Sequence, residues 1–269
     1  MMRLSLDCLT LTDTDPLDHI VAAGRAGFEL VSLWAASESA YPRQVLTAGR
    51  LADCRQALAD HGVAVHTLEA FNLSSESDIE AFRPGLEMGA GLGARLALAY
   101  HHGNPDRTHV AELLALFAET ARDYGLGVVL EPVNVGDTRT LAEGVAMIRA
   151  SGSDAGLLFD TYHLIRTGGT PADLDAVPPG LIRYVQINDG PLQIAQDEIL
   201  AEVMGERLYP GLGEFPLEDM MSRISTDIPW AIEAPSLRRA GQGMSPLDQA
   251  RECMASLEGL LARLGIARG

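Results

Sequence analysis

The sequence predicts a (β/α)8 barrel, in which eight parallel strands alternate with helices. Eight short apolar segments recur along the 269 residues, and a helical pattern follows most of them. The spacing is about 34 residues per unit, which suits a barrel of about 250 residues. Several segments, such as GVVL and GLLF, are apolar throughout, which is typical of parallel strands that are covered on both faces.

The competing fold is a doubly wound open sheet. Such a sheet usually carries a glycine-rich phosphate-binding turn after an early strand. Here the first predicted strand leads into LTLTDTDP, which contains no glycine, so the barrel is favoured. No linker, low-complexity tract or charge block interrupts the chain, and we expect one barrel domain over residues 1–269.

Each predicted strand is a short apolar run that ends at a polar or glycine-containing turn. The last four runs end at a carboxylate or amide side chain rather than at a simple turn residue. The predicted strands are Arg3–Leu9, Leu30–Trp34, Ala64–Leu68, Arg95–Ala99, Gly127–Leu130, Ala155–Phe159, Ile182–Ile187 and Trp230–Ile232.

The helices are predicted between the strands from their start and stop signals. The first follows Thr14 and has Pro16 near its first turn, where proline is favoured. Gly62 and Gly125 are placed to end two later helices. Pro84 must begin or break the helix after the third strand. The predicted helices are Asp15–Ala26, Arg43–His61, Asp78–Gly89, Asp106–Tyr124, Leu141–Ala150, Pro171–Ala176, Pro216–Ile224 and Pro246–Leu264.

Composition and charge exclude several classes of protein. A hydrophobic content of 47% excludes intrinsic disorder, and no apolar run reaches the roughly 18–20 residues of a membrane helix. The net charge of −17 removes the main driving force for nucleic-acid binding. The three cysteines show no metal-binding or disulfide spacing, and the first residues do not form a secretory signal. We expect a cytoplasmic protein without nucleic-acid or membrane partners, and leave homo-oligomerisation open.

Four oxygen-bearing side chains end or occupy the last four predicted strands. Glu131 follows strand five, Asp160 follows strand six, Gln186 lies in strand seven and Glu233 follows strand eight. Since the chemistry of a barrel is located at the carboxyl ends of its strands, these side chains should meet at the barrel mouth. Three buried carboxylates would repel each other, and a divalent cation resolves that repulsion. A salt bridge or helix cap would explain one such residue, but not four.

Several segments resemble one known family. LEPVN, FDTYHL, VQINDGP, PGLGEFPL and IEAPS are similar to the xylose-isomerase-like barrels, also called the sugar phosphate isomerase/epimerase superfamily. The resemblance covers the whole chain and is strongest between residues 127 and 236. It implies a single divalent metal ion held by Glu131, Asp160, Gln186 and Glu233.

One ligand departs from the pattern of many members, which have histidine where this chain has Gln186. The hydroxypyruvate-isomerase-like branch has glutamine there, followed by a Pro-Gly-x-Gly-Glu stretch similar to residues 210–214. An amide oxygen is a harder ligand than imidazole, so Mn²⁺ or Mg²⁺ is favoured, with Co²⁺ and Zn²⁺ left open.

The endonuclease branch of the superfamily does not fit. Its members hold three zinc ions with many histidines, including an Asp-x-His pair after strand seven. Here neither Asp197 nor Asp219 is followed two residues later by histidine, and no histidine occurs beyond His163.

The resemblance also implies two substrate contacts near the metal. His163, three residues after Asp160, corresponds to a histidine that touches a substrate hydroxyl; its alternative role is to orient Asp160. Arg207 precedes the PGLGE turn, where some relatives place an arginine against a substrate oxygen; a solvated arginine is the alternative.

Polar and apolar residues at the ends of the earlier strands are weaker candidates. His66 and His101 are candidate substrate contacts near the ends of strands three and four, with packing at the rim as the alternative. His101 and His102 are adjacent, so at most one of them should face the mouth. Trp34 is expected either to wall the site or to pack in the core, and Cys8 is expected to be buried.

The chemistry that follows is proton transfer next to a carbonyl. Glu131 and Glu233 are the expected acid–base pair of a metal-dependent isomerase or epimerase acting on a small sugar-like hydroxy-carbonyl through an enediolate. The alternatives are a dehydratase acting on an inosose- or dehydroshikimate-like compound, and a non-catalytic sugar-binding barrel. The sequence has no Walker motif, so nucleotide hydrolysis is not supported. None of the strand ends carries a lysine, so Schiff-base chemistry is not supported either.

Overall fold

The computed structural model describes residues 2–36 and 39–267, and these residues form a closed barrel of eight parallel strands. Each strand pairs with the next along the chain, and β8 closes the barrel against β1. This confirms the predicted (β/α)8 fold. The strands are β1 Leu4–Leu6, β2 Leu30–Trp34, β3 Ala64–Asn72, β4 Leu96–Tyr100, β5 Gly127–Glu131, β6 Gly156–Asp160, β7 Ile182–Ile187 and β8 Trp230–Ile232.

Two strands differ from the predicted bounds by more than one residue. β1 ends at Leu6 because the Asp7 carboxylate accepts the backbone N–H of Leu9 at 3.0 Å and turns the chain out of the sheet. β3 continues to Asn72, four residues beyond the predicted end, because its pairing with β4 resumes at Phe71 after an irregularity. The longer β3 places Glu69 inside the strand rather than after it.

Ten α-helices occur among the described residues. Their bounds are α1 Pro16–Ala26, α2 Leu51–His61, α3 Arg83–Gly91, α4 Arg107–Asp123, α5 Leu141–Ser151, α6 Thr161–Arg166, α7 Ile199–Gly205, α8 Leu217–Ser222, α9 Leu237–Gly241 and α10 Pro246–Arg263. None of the helices in this part of the chain has the length and apolarity needed to cross a bilayer.

Three predicted helices were wrong in detail. The continuous helix over 43–61 is α2 preceded by two short 3-10 turns, Pro42–Gln44 and Ala48–Arg50. The helix over 78–89 is a 3-10 turn followed by α3, and Pro84 lies in the first turn of α3, where its missing N–H has no cost. The segment Pro171–Ala176 is a 3-10 helix rather than an α-helix.

The core has two layers, which together position the site. A large cluster fills the space between the strands and the helices, and a smaller one fills the barrel interior. Because successive side chains of a strand point to opposite faces, the residue two positions after an interior residue also points inward, one layer nearer the mouth. This step links Val129 to Glu131, Leu158 to Asp160, Tyr184 to Gln186 and Ala231 to Glu233.

Candidate metal centre

The structure brings the four predicted metal ligands together at the mouth of the barrel. Glu131, Asp160, Gln186 and Glu233 are all buried, with at most 7% of any residue exposed. Asp160 and Gln186 are register partners on adjacent strands, which places their side chains next to each other on the same face of the sheet. The alternation described above explains why strands β5 to β8 deliver them to one point.

Asp160 is oriented by the start of α6. It is the N-cap residue of that helix, and its Oδ1 accepts the backbone N–H of Tyr162 at 2.6 Å and the Asn188 amide at 2.9 Å. The Oδ2 atom lies 3.0 Å from Arg207 Nη1. Burial by itself would raise the pKa of Asp160, but the charges of His163 and Arg207 outweigh it and hold the pKa below its ordinary value. One oxygen therefore fixes the side chain, while the other is presented to the site as a carboxylate.

Arg207 is a buried cation rather than a solvated one. Its Nη1 donates to Asp160 Oδ2 and to Glu233 Oε2, the latter at 2.5 Å, and its guanidinium lies 4.5 Å from the Tyr162 ring centroid. Its backbone N–H donates to the carbonyl of Pro235. The solvated alternative was wrong, since only 2% of Arg207 is exposed.

His163 is positioned beside two of the candidate ligands. Its Nε2 lies 3.4 Å from Glu131 Oε1 and 3.9 Å from Asp160 Oδ2. On the other side of the ring, Nδ1 lies 2.8 Å from Asn134 Oδ1 and 3.2 Å from the backbone nitrogen of Asn134. Potential ligand atoms of Glu131, Asp160 and His163 lie within 4.8 Å of one another. The ring can therefore orient the carboxylates and still reach the cavity that it lines.

Gln186 carries the clearest sign that a metal ion fits this centre. Its Nε2 donates to Asp7 Oδ2 at 3.0 Å, so the amide oxygen Oε1 points away from that carboxylate. That oxygen is fully buried and has no hydrogen-bond partner among the described residues. An unpaired buried acceptor is costly, and coordination of a cation would satisfy it.

The charges of the centre also fit a divalent ion. The three carboxylates of Glu131, Asp160 and Glu233 lie around the permanently charged Arg207, so a divalent ion beside a neutral His163 would bring these charges to neutrality. Burial raises the pKa of Glu131 and raises that of Glu233 well above its ordinary value. An all-oxygen set of ligands of this kind suits Mg²⁺ or Mn²⁺.

A second acidic group, which was not predicted as part of the site, lies beside Gln186. Asp7 accepts hydrogen bonds from Gln186 and from the Ser32 hydroxyl, at 3.0 and 3.1 Å. Glu69 contacts the Cys8 thiol at 3.6 Å, and potential ligand atoms of Asp7, Cys8 and Glu69 lie within 4.8 Å of one another. A partial signal was present in the sequence, because Glu69 directly follows the predicted third strand and Asp7 lies within the predicted first strand.

The remaining histidine candidates do not reach the cavity. His66 lies lower in the barrel, with its ring 5.0 Å from that of Tyr184, because β3 extends six residues beyond it. His101 is buried between the Thr138 hydroxyl and the Asn104 carbonyl, at 2.8 and 2.6 Å. The adjacent His102 is exposed and lines the cavity, so one of the pair does face the mouth.

The cavity above the centre has a volume of about 650 Å³, which suits a small-molecule ligand. Glu69, Glu131, His163, Arg207 and Glu233 form its polar floor. Its walls are largely apolar and include Leu9, Trp34, Leu98, Tyr100, Val133, Leu200 and Met204. Trp34 therefore forms part of the cavity wall, which is one of the two roles expected for it.

Two curated proteins from Pseudomonas are similar to this chain. The chain is 25% identical over 238 residues to 3-dehydroshikimate dehydratase of Pseudomonas putida, and 26% identical to the enzyme of that name from Pseudomonas aeruginosa. Each match covers 83% of this chain but only 36% of the relative, so the chain spans about a third of the length of these relatives.

Three solved structures share the fold at low sequence identity. A xylose isomerase-like TIM barrel/4-hydroxyphenylpyruvate dioxygenase fusion protein superposes with a TM-score of 0.80 at 22% identity, over 98% of this chain and 43% of that one. The IolI protein with a bound zinc atom gives 0.79 at 15% identity, over 98% and 99% of the two chains. D-psicose 3-epimerase, solved in the presence of D-fructose, gives 0.74 at 17% identity, over 98% and 100%.

A family model for the xylose isomerase-like TIM barrel matches residues 20–257. The match includes seven of the eight strands, all four candidate metal ligands, and both His163 and Arg207. The chain belongs to the xylose isomerase-like TIM barrel family.

Proposed function

We propose that this protein is a divalent-metal-dependent isomerase or epimerase that acts on a small hydroxy-carbonyl compound, such as a ketose. The observation that carries the proposal is the convergence of Glu131, Asp160, Glu233 and the unpaired Gln186 oxygen beneath a cavity of ligand size. These four side chains would hold one Mg²⁺ or Mn²⁺. When bound, the ion supplies polarisation of the substrate carbonyl and stabilisation of the negative charge that proton removal leaves.

The protein side chains perform the proton transfer. Glu131 on β5 and Glu233 on β8 both line the cavity, so one carboxylate can remove the proton next to the carbonyl and the other can return one. Return to the same carbon gives an epimer, and return to the neighbouring carbon gives an aldose–ketose isomer. His163 and Arg207 offer N–H donors to the substrate oxygens and fix the two carboxylates in place.

Dehydration is the second candidate reaction, and the sequence relatives favour it. Both curated matches are 3-dehydroshikimate dehydratases, whose name implies loss of water from a hydroxy-ketone. Such a reaction begins with the same removal of a proton next to a carbonyl, so the same pair of glutamates would serve it. The epimerase neighbours share the fold alone and leave the two reactions to be separated by experiment.

The test is a substrate screen in D₂O with added Mn²⁺ or Mg²⁺. D-fructose, D-psicose and 3-dehydroshikimate are incubated with the protein, and both products and deuterium incorporation are measured. Glu131→Gln and Glu233→Gln should each lower turnover by roughly 10²–10⁴-fold, because an amide keeps an oxygen for the metal but cannot accept a proton.

Glu112→Gln on α4 is the matched control, since that side chain is 74% exposed and remote from the cavity. It should leave turnover unchanged. Full activity of either glutamate variant at equal metal occupancy would leave that residue as a ligand and contradict its role in proton transfer.

A further inference from the structure

The cavity above the metal centre divides its polar and apolar groups unevenly between floor and walls. Apart from the polar floor, the side-chain hydroxyl and imidazole groups of the described lining belong to Ser39, Tyr100 and His102. The Ser39 hydroxyl already accepts the backbone N–H of Tyr41 and the Gln44 amide, at 3.0 and 3.1 Å. The walls therefore offer few groups that could hydrogen-bond to the body of a ligand.

Helix α7 supplies one of the apolar walls. Leu200, Val203 and Met204 follow the i, i+3, i+4 spacing of a single helix face, and all three line the cavity. Leu200 is 65% exposed although it is a large apolar residue. Val135, in the segment after β5, lines the same cavity and is 44% exposed. An apolar ligand body would cover these side chains and remove their surface from water.

The position of this wall is fixed by side chains that do not line the cavity. Glu202 accepts hydrogen bonds from Arg166 Nε and Nη2, both at 2.7 Å, in an ion pair that is almost fully buried. Arg166 also donates to the carbonyl of Pro191 at 2.8 Å, and the Tyr41 hydroxyl donates to the carbonyl of Met204 at 2.7 Å. A helix of seven residues is too short to be stable by itself, so these contacts hold α7 in place.

The walls would discriminate between different kinds of substrate body. A cavity of about 650 Å³ has the size at which most of the surface of a ligand is enclosed, so the body of the substrate must lie against these side chains. Each hydroxyl group placed there would lose its hydrogen bonds to water without gaining a partner, which is costly. Each methylene group placed there would instead be stabilised by leaving water.

We propose that the substrate is an α-hydroxy ketone with a hydrocarbon body, which lies against Leu200, Val203 and Val135 while the carbonyl and hydroxyl groups lie on the floor. This inference rests on the proposed function and narrows its substrate to compounds that carry fewer hydroxyl groups than a ketohexose. The reacting carbons still meet the glutamates and the metal ion, whereas the walls select the rest of the molecule. Leu200 and Val135 are therefore residues that determine specificity.

The test uses acyloins, which are α-hydroxy ketones that differ only in the length of their alkyl chains. Acetoin, propioin and butyroin are incubated with the Mn²⁺-loaded protein in D₂O, and deuterium exchange next to the carbonyl is measured. D-fructose is the fully hydroxylated comparison. Each methylene group that the walls bury should raise kcat/KM by roughly fourfold. Equal kcat/KM values along the series, or faster exchange of D-fructose than of butyroin, would overturn the inference.

Leu200→Ser tests the wall itself. The ratio of kcat/KM for butyroin to that for acetoin should fall by at least about fourfold, because the longer alkyl chains lose an apolar contact. Val135→Ser, outside any helix, should act in the same direction. Leu116→Ser is the control, since Leu116 lies on α4, is 48% exposed and does not line the cavity. An unchanged ratio in both Leu200→Ser and Val135→Ser would contradict the assignment.

Calorimetric titration of the Mn²⁺-loaded protein with the same acyloins separates this inference from the proposed function. Binding should tighten from acetoin to butyroin, with the increasingly negative heat-capacity change that marks apolar burial. Tighter binding along the series without exchange of any compound would contradict the proposed function and support the apolar site. Equal affinity for the three acyloins would overturn the apolar site.

Discussion

Gln186 is an unusual ligand at the residue scale, because an amide can present either of two chemically different atoms to a metal ion. Asp7 removes the ambiguity, since its carboxylate accepts from Nε2, and Oε1 is the atom left without a hydrogen-bond partner among the described residues. Partners that orient a ligand in this way are worth about 10–100-fold in metal affinity.

Asp7→Asn should weaken Mn²⁺ binding by about 10–100-fold, because asparagine can also donate and would let the Gln186 amide turn over. Calorimetric titration of the metal-free protein measures the change. Asp13→Asn is the control, since Asp13 lies in the same segment but its side chain is 46% exposed. Equal affinities for wild type and Asp7→Asn would show that the orientation of Gln186 does not depend on Asp7.

The sequence predicts which four residues converge and offers His163 as a residue that orients Asp160, but it does not predict Asp7, which orients Gln186. Glu131, Asp160 and Glu233 each follow an apolar strand, and the direction of parallel strands is enough to bring them to one end. Asp7 lies within the predicted first strand and Glu69 just after the predicted third, but β1 ends three residues before its predicted end and β3 four residues after it. Without the correct ends, neither acid could be assigned to a face of the barrel.

At the scale of elements, the segment after β7 carries Arg207 to the site, and Asp189 holds that segment. Its carboxylate accepts four backbone N–H groups, from Gly190, Gly211, Gly213 and Phe215, at 2.8 to 3.0 Å. A side chain at Gly213 would lie 2.4 Å from Asp189 Oδ1, which explains the glycine in the PGLGE stretch. The motif is therefore a turn built around a carboxylate.

Asp189→Asn should lower the free energy of unfolding by about 1–3 kcal/mol, because one of its two accepting oxygens becomes a donor that faces backbone N–H groups. Urea denaturation measures this loss. Turnover should fall as well, since the same segment positions Arg207. The exposed Asp227 offers a control in Asp227→Asn, and equal stability of the two variants would count against the role of Asp189.

Short elements explain most of the errors in the predicted helices. The helices α6, α7 and α9 have six, seven and five residues, too few for a periodic pattern to stand out from a loop. The long helices α4 and α10 were predicted to within one residue at each end, because their capping residues and their apolar periodicity indicate the same bounds. Two of the missed helices, α6 and α7, contribute side chains to the cavity.

Over the whole molecule, two buried histidines make stability depend on pH. Burial lowers the pKa of His19 to about 4, and burial together with nearby arginines lowers that of His66 to about 4. Both are neutral in the folded protein, whereas the unfolded chain binds a proton at each below pH 6.5. Stability is therefore lost as the pH falls from 6.5 towards 4, by up to about 3 kcal/mol per histidine.

His66→Phe should make this acid loss shallower, because the ring contact with Tyr184 is kept and the titrating group is removed. Urea unfolding at several pH values between 4 and 7 measures the slope. The control is His109→Phe on α4, where the side chain is 45% exposed and the slope should not change. An unchanged slope for His66→Phe would contradict its neutral buried state.

Each candidate metal ligand lies two residues after a side chain of the barrel interior. This spacing determines where the sequence can accept an inserted residue. A residue added to a connecting loop leaves each strand in phase, so it does not turn the four ligands away from the centre. A residue added between Val129 and Glu131, or at the equivalent place in β6, β7 or β8, turns the ligand out to the helix layer. Loop insertions and substitutions in the cavity wall can therefore accumulate in this chain's lineage. The two-residue interval before each of the four ligands must keep its length.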